Sequence, residues 1–178
     1  MRKLKLYTAS SLDGLIATRS GNVDWLTDPD KADNNPNKYG YIDFYNSIDT
    51  TLMGYNTYKK ILDFKVPFPY PNKKNYIFSK QHEKNEDNPV DFIQADPAEF
   101  VSQLMQKNGK DIWLIGGGQI NSILLSANLI DVIILSIIPV ALTDGLAIFS
   151  GRAEMKRFNI KDTITFDNSL VQIIFTKK

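Results

Sequence analysis

The stretch "DIWLIGGGQINSILL", residues 111–125, joins an apolar run, three consecutive glycines and a helix-like pattern. Residues 112–115 are apolar on both faces of an extended chain, which is typical of a strand inside a parallel sheet. Glycine loses the most backbone freedom on folding, so a run of three is costly to order. A glycine turn between a strand and a helix lets backbone N–H groups face an anion at the positive end of the helix. The run therefore predicts either a phosphate site or a tight turn that needs glycine for its geometry alone.

The glycine run does not match the two common nucleotide-binding motifs. No lysine follows it, as one does in the phosphate loop of NTPases, and Asn121 stands where the last glycine of G-x-G-x-x-G would be. A second junction of the same kind, "LMGYNTY" (52–58), has a short strand, Gly54 and a helix whose start Asn56 or Thr57 is able to cap. Two such junctions together predict a clamp for a dinucleotide.

Strand and helix patterns alternate along most of the chain. The predicted strands are 3–9, 15–17, 50–53, 75–79, 90–95, 112–115 and 132–138, and the predicted helices are 41–48, 56–62, 96–109 and 120–128. Asp96 as N-cap, Pro97 in the first turn and Glu99 in a capping box mark the clearest helix, which Asn108 and Gly109 end. The chain closes with two consecutive strands in the pattern of a hairpin. This order predicts a three-layer α/β/α fold with a mostly parallel central sheet and an antiparallel C-terminal edge.

Composition and charge limit the class of partner. The 178 residues suit a single domain, residues 1–178, and their formal net charge of +1 gives no overall field to attract nucleic acid or an anionic membrane. No cysteine is present and the only histidine, His82, lies in a polar segment, so we expect no disulfide and no metal site. The N-terminus lacks a signal-peptide pattern, and the most apolar segment, 129–142, is too short to span a bilayer. We expect a cytoplasmic protein whose partner is a small molecule, with exposed polar loops at 27–40 and 79–89.

Two carboxylates and one strand end are further candidates for a site. Asp43 lies within the apolar pattern of helix 41–48. Partial burial there would raise its pKa into a range that suits proton donation; the alternative is an ordinary exposed helical aspartate. Asp13 precedes Gly14, which favours a role in a turn over one in catalysis. The strand end "FSK" (78–80) offers a hydroxyl and an ammonium group to a ribose or phosphate, or is simply where a strand enters an exposed loop.

Four segments together carry a resemblance to a known superfamily. They are "LYTASSLDGLIA" (6–17), "TTLMGYNTYKKI" (50–61), "NYIFSK" (75–80) and "IWLIGGGQINSILL" (112–125). Their order and spacing resemble those of dihydrofolate reductase-like proteins. Within that superfamily the chain is most similar to the stand-alone relatives of the reductase domain of bacterial riboflavin biosynthesis, the RibD C-terminal domain. "SLDG-x-IA" followed by Trp25, "MG-x-x-TY", "GGG" and the later "IIPVALTDGLAIF" (137–149) point to that group.

The resemblance implies an NADPH-dependent reductase with a dihydrofolate reductase-like fold. Its substrate would be a pteridine, a folate or a riboflavin precursor such as 5-amino-6-(5-phosphoribosylamino)uracil. By position, the resemblance places the cofactor pyrophosphate between two sets of residues, Gly54, Tyr55, Asn56 and Thr57 on one side and Gly116, Gly117, Gly118, Gln119 and Ile120 on the other. It places Phe78, Ser79 and Lys80 near the adenosine ribose and its phosphate, and Ala9, Ile16 and Ala17 near the nicotinamide.

The chain departs from the family pattern at three places. Relatives usually carry an arginine where this chain has Tyr55, so Lys59 or Lys80 is left to hold the 2′-phosphate of NADPH, and NADH is an alternative cofactor. Riboflavin-pathway enzymes typically carry Asp-Asp-Pro where this chain reads "LDF" (62–64). Asp43, the candidate for proton delivery or substrate anchoring, stands at a different distance before the glycine than the acid of true dihydrofolate reductases does.

The leading hypothesis is therefore an NAD(P)H-dependent reductase that acts on a small heterocycle. A genuine dihydrofolate reductase and a dinucleotide-binding module without catalysis are the alternatives. Relatives are often dimers, and "VQIIF" (171–175) resembles an edge strand able to pair between subunits, so we expect a homodimer.

Overall fold

The computed structural model describes residues 1–26, 38–80 and 89–178. His82 and most of the two predicted polar loops lie outside these residues. The strands are β1 Leu4–Ser10, β2 Leu15–Ala17, β3 Ile48–Gly54, β4 Lys74–Phe78, β5 Val90–Ile93, β6 Asp111–Gly116, β7 Ile130–Ile137, β8 Leu146–Ala147, β9 Phe158–Thr165 and β10 Val171–Lys177. The helices are α1 Tyr41–Ser47, α2 Tyr55–Asp63, α3 Pro97–Met105 and α4 Gly118–Ser126. No helix in the described part of the chain is long and apolar enough to cross a membrane.

Eight strands form one sheet in the order β5-β4-β3-β6-β1-β7-β10-β9. The first six run parallel, whereas β10 is antiparallel to both β7 and β9. This confirms the predicted parallel sheet with an antiparallel C-terminal edge. A separate pair, β2 with β8, was not predicted, because β8 is only two residues long and has no periodicity to read.

Helices cover both faces of the sheet. Neighbouring residues of β3 show this directly, because Leu52 packs with Val101 of α3 and Leu124 of α4, whereas Met53 packs with Tyr58 of α2. Alternate residues of a strand point to opposite faces. Phe44 of α1 packs against Trp113 on the second face, where their ring centroids are 5.3 Å apart. The molecule is therefore a three-layer α/β/α structure, as predicted.

The N-cap of α3 follows the sequence prediction, whereas the predicted capping box and the predicted helix end do not. Among the described contacts, Glu99 Oε1 accepts from Gln103 Nε2 at 3.3 Å and not from the N–H of Asp96. The carboxylate of Asp96 accepts hydrogen bonds from the backbone N–H groups of Ala98 at 2.9 Å and Glu99 at 3.0 Å, with Pro97 in the first turn. The helix ends at Met105 rather than at Asn108 and Gly109. The following N–H groups bond three residues back, Gln106 to Gln103 and Lys107 to Leu104, in the tighter turn that often closes a helix.

The starts of α2 and α4 correct two further predictions. The N-cap of α2 is Gly54, so Asn56 and Thr57 already lie in the first turn and neither caps the helix. Helix α4 begins at Gly118, two residues before the predicted start. In both cases a glycine at the strand end allows the helix to begin at once.

Candidate functional site

The carboxyl ends of β3 and β6 meet where the order of the sheet reverses. From β3 the chain continues through α2 to β4 on one side, and from β6 it continues through α4 to β7 on the other. The strands are neighbours, with Met53 paired to Gly116. In open α/β sheets a crevice for ligands forms at such a switch point, beyond the carboxyl ends of the strands.

The two glycine junctions touch each other at this point. The N–H of Gly117 donates a hydrogen bond to Thr57 Oγ1 at 3.1 Å. A Cβ on Gly117 would lie 3.1 Å from the same oxygen, and a Cβ on Gly54 would lie 3.2 Å from Ile120 Cγ1. These distances are tighter than ordinary side-chain contacts, so a side chain at Gly54 or Gly117 would require Ile120 or Thr57 to shift by a few tenths of an ångström. The two junctions therefore lie together, as a dinucleotide clamp would require, and the clamp itself stays a prediction.

Both helices at this edge begin without a side-chain cap. Their N-cap residues are Gly54 and Gly117, which have no side chain to offer, whereas α3 has Asp96 in that position. The first N–H groups of an α-helix have no partner within the helix, and the helix dipole adds partial positive charge there. Two uncapped helix starts side by side fit a bound pyrophosphate, which would accept from these N–H groups.

Gly118 is restricted to glycine by its contact with residues 147–150 and not by contact between the two junctions. A Cβ there would collide with the carbonyl oxygen of Ala147 and would lie 2.7 Å from Ser150 Oγ. The N–H of Ser150 donates to the Gly118 carbonyl at 3.2 Å, and the Asn121 side-chain amide donates to the Ile148 carbonyl at 2.8 Å. Packing of the segment 147–150 against the start of α4 therefore accounts for Gly118. Where the last glycine of a dinucleotide motif would be, this chain has an asparagine that binds that segment.

The predicted adenosine-side residues lie beside the junctions, but one faces away from them. Phe78 is paired to Gly54, so Ser79 and Lys80 follow β4 along the same edge. The ring of Phe78 is 6% exposed and packs on Phe100 of α3, with ring centroids 5.8 Å apart. Its side chain therefore belongs to the core. Lys80 is exposed, and its predicted role towards a phosphate stays a prediction.

The predicted nicotinamide-side residues lie around the end of β1. Pairing between β1 and β6 ends at Leu6 and Leu114, whereas pairing between β1 and β7 continues to Ser10 and Ile137. The end of β1, including Ala9, is therefore open on the side that faces the glycine run. Ile16 and Ala17 belong to β2, which β8 holds in an antiparallel pair; Ala17 is 7% exposed and Ile16 packs against the main core.

Of the environments predicted for Asp43 and Asp13, the structure shows an exposed helical position for Asp43 and a turn position for Asp13. Asp43 is exposed on α1, so the expectation of partial burial is wrong: the apolar contacts of that helix are made by Phe44, one residue further on. Asp13 accepts hydrogen bonds from the backbone N–H groups of Leu142 at 3.1 Å and Thr143 at 2.7 Å. It joins the turn after β1 to a distant loop, as a structural residue would.

A small cavity on the α1 side of the sheet was missed by the sequence analysis. It has a volume of about 290 Å³ and is lined by Tyr7, Phe44, Gln172 and their neighbours. Gln172 and Ser136 are 3% and 6% exposed, and Gln172 Nε2 donates to Ser136 Oγ at 3.1 Å. The only local signal was a polar residue at the centre of two apolar strands, Ser136 in β7 and Gln172 in β10.

Comparisons with known proteins agree on one family. The RibD C-terminal domain family matches residues 63–172. The uncharacterized protein YwjB of Bacillus subtilis (strain 168) is 33% identical over 169 residues, which are 95% of this chain and 95% of YwjB. The solved structure of a Shewanella sp. PV-4 protein named for riboflavin biosynthesis has a TM-score of 0.86 and 26% identity, and the match covers 99% of both chains. A pyrimidine reductase-like protein of Corynebacterium diphtheriae matches the fold with a TM-score of 0.74, at 14% identity over 99% of this chain and 92% of that one.

The three-layer architecture, with paired glycine junctions at the switch point of its parallel sheet, is of the dihydrofolate reductase-like class. Within that class, the chain belongs to the RibD C-terminal domain family.

Proposed function

We propose that the protein is an NADPH-dependent reductase that acts by hydride transfer on a small heterocyclic substrate of the riboflavin-precursor or pteridine type. The observation that carries the proposal is the hydrogen bond from the Gly117 N–H to Thr57 Oγ1 at 3.1 Å, which joins two uncapped helix starts at the switch point of the sheet. Membership of a reductase family supports the class of reaction. The nicotinamide cofactor, when bound, supplies the hydride.

In this proposal the chain contributes position and electrostatics. The N–H groups at the starts of α2 and α4 hold the pyrophosphate, with Asn56, Gln119 and Ile120 beside them. Lys59 and Lys80 are exposed and supply positive charge to the 2′-phosphate in place of the arginine that Tyr55 replaces, which favours NADPH over NADH. The open end of β1 at Ala9 receives the nicotinamide. Asp43, as an exposed carboxylate, is retained as the candidate for proton delivery or substrate anchoring.

Binding and turnover test the proposal separately. NADPH and NADH are titrated against the protein with Trp25 and Trp113 as fluorescence reporters, and oxidation of the bound cofactor is then followed with dihydrofolate or the ribosylaminouracil phosphate present. We expect saturable binding, tighter for NADPH, and oxidation with at least one of the two substrates. Binding without turnover would favour a dinucleotide-binding module. Absence of binding by either cofactor would contradict the reductase assignment.

A further inference from the structure

Residues 142–150, which we call the bridging segment, pack closely against β2 and the turn that precedes it. Strand β8 lies within the bridging segment and forms its antiparallel pair with β2. The N–H of Ile148 donates a hydrogen bond to the Gly14 carbonyl at 3.0 Å. A Cβ on Gly145 would collide with the carbonyl oxygen of Ala17. One side of the bridging segment is therefore fixed to the proposed nicotinamide side of the site.

The other side of the bridging segment is held to the start of α4. The Asn121 side-chain amide donates to the Ile148 carbonyl at 2.8 Å, and the Ser150 N–H donates to the Gly118 carbonyl at 3.2 Å. Ile148 thus has its N–H bound to the turn before β2 and its carbonyl bound to α4. A single residue of the bridging segment therefore joins the proposed nicotinamide side to the glycine junctions.

The side chain of Asn121 fills the space between the glycine run and the bridging segment. Asn121 is 1% exposed and lies in the first turn of α4, where its backbone N–H donates to the Gly117 carbonyl at 3.0 Å. A Cβ on Gly116 would lie 3.1 Å from Asn121 Oδ1 and 3.3 Å from Nδ2. The amide therefore lies directly against Gly116 while it binds Ile148, so a shift of the bridging segment would be felt at the glycine run.

The amide of Asn121 acts through its donor. Because the Ile148 carbonyl only accepts, the amide nitrogen must face it, and Oδ1 is directed elsewhere. Within the described part of the chain, this buried oxygen has no hydrogen-bond partner. An unused buried acceptor destabilises a fold, so what the amide contributes here is its hydrogen bond to the bridging segment.

We propose that Asn121 is a positioning residue for the cofactor. Through Ile148 it holds the nicotinamide side, at β2, in register with the glycine junctions that would hold the pyrophosphate. This inference rests on the proposed reductase function for the identity of the ligand, but the link from Asn121 to β2 exists in the protein without cofactor. Asn121 needs no contact with the cofactor, because its own side chain is buried.

Two ligands that differ in the nicotinamide half test the positioning role. Asn121→Leu keeps a side chain of similar size and removes the donor. In isothermal titration calorimetry, we expect this variant to bind NADPH roughly five- to tenfold more weakly than wild type. Adenosine 2′,5′-bisphosphate, which has no nicotinamide, should bind within about twofold of wild type. Ser122→Ala is the matched control and should bind both ligands as wild type does, because Ser122 is a buried neighbour on α4 whose hydroxyl has no partner among the described residues.

Hydrogen exchange tests the same link in the protein without cofactor. The Ile148 N–H is protected by its bond to Gly14, and loss of the bond from Asn121 should loosen that part of the bridging segment. By NMR, we expect exchange at Ile148 to be at least about tenfold faster in Asn121→Leu than in wild type. Exchange at Phe100, whose N–H bonds to the Asp96 carbonyl in α3, should be unchanged.

The outcomes separate this inference from the reductase proposal. Equal weakening of both ligands, unchanged NADPH binding by folded Asn121→Leu, or an unchanged exchange rate at Ile148 would each overturn the positioning role. If wild type binds neither ligand, the reductase proposal fails, and the exchange rate at Ile148 alone then supports or overturns the link from Asn121 to β2. Circular dichroism establishes that Asn121→Leu is folded; Asn121→Ala replaces it in all three measurements if it is not.

Discussion

Thr57 is the residue that couples the two junctions. Its hydroxyl oxygen accepts a hydrogen bond from the Gly117 N–H. Gly117 has no side chain that could accept this hydrogen bond instead. Thr57→Val keeps the shape of the side chain and removes the acceptor, so the Gly117 N–H loses its partner at a net cost of about 1 kcal/mol. We expect the dissociation constant for NADPH to rise roughly five- to tenfold in Thr57→Val.

The matched control is Thr57→Ser, which keeps the hydroxyl and should bind NADPH within roughly twofold of wild type. Fluorescence titration of the three proteins makes the comparison. Equal weakening in the Val and Ser variants would show that the methyl group matters rather than the hydrogen bond.

Asp13 holds a loop through its charge. Hydrogen bonding with Ser11, followed by the N–H groups of Leu142 and Thr143, lowers the pKa of Asp13 from 3.8 to about 2. A carboxyl whose pKa is lower in the folded than in the unfolded state stabilises the fold above the unfolded pKa and loses that effect as the pH falls towards the folded pKa. The stability difference between wild type and Asp13→Asn should therefore be constant above about pH 5 and shrink between pH 4 and pH 2.

Urea unfolding at a series of pH values measures that difference directly. Asp63→Asn, at an exposed position at the end of α2, provides a control. A difference that grows as the pH falls would contradict the assigned role of Asp13.

Among the helices and strands, residue patterns within a few positions predicted those boundaries that depend on neighbouring residues alone. Asp96 and Pro97 mark the start of α3 because a cap and a fixed φ act within a few residues. The end of α3 and the start of α4 were misplaced, since the first depends on a tightened last turn and the second on packing with the segment 147–150. The cavity could not be predicted, because Tyr7 and Gln172 are 165 positions apart and meet only through strand order.

At the C-terminal side of the sheet the edge strand is β9 and not the strand that contains the predicted "VQIIF". That sequence lies in β10, which is paired on both sides, whereas β9 has a partner on one side only among residues 1–26, 38–80 and 89–178. All residues of β9 after Phe158 are exposed, including Ile160 at 65%. A long exposed edge with apolar side chains is a template for pairing with another chain.

We therefore expect a homodimer that pairs through β9. Ile160→Lys should shift the protein towards monomer in analytical ultracentrifugation, because a charged edge resists pairing. Met155→Lys, at an exposed position outside the strand, should leave the association unchanged. A wild-type protein that is monomeric at every concentration would contradict the expectation.

At the scale of the whole molecule, the fold brings sequence-distant segments to one edge. Gly54 and Gly117 meet because β3 and β6 are neighbours, and Ala9 lies nearby because β1 follows β6 in the sheet. These residues were predicted from the resemblance to a known family and from the glycine turns between strands and helices. It could not give their contacts, because strand order is set by packing over the entire chain rather than by any local pattern.

The central claim, that the paired glycine junctions hold a nicotinamide dinucleotide, is tested most directly by titrating NADPH against wild type, Gly117→Val and Ala127→Val. The valine at position 117 would meet Thr57 between the junctions, whereas Ala127 is exposed at the C-cap of the same helix. We expect saturable binding to wild type and Ala127→Val and none to a folded Gly117→Val. Normal NADPH binding by folded Gly117→Val would contradict it.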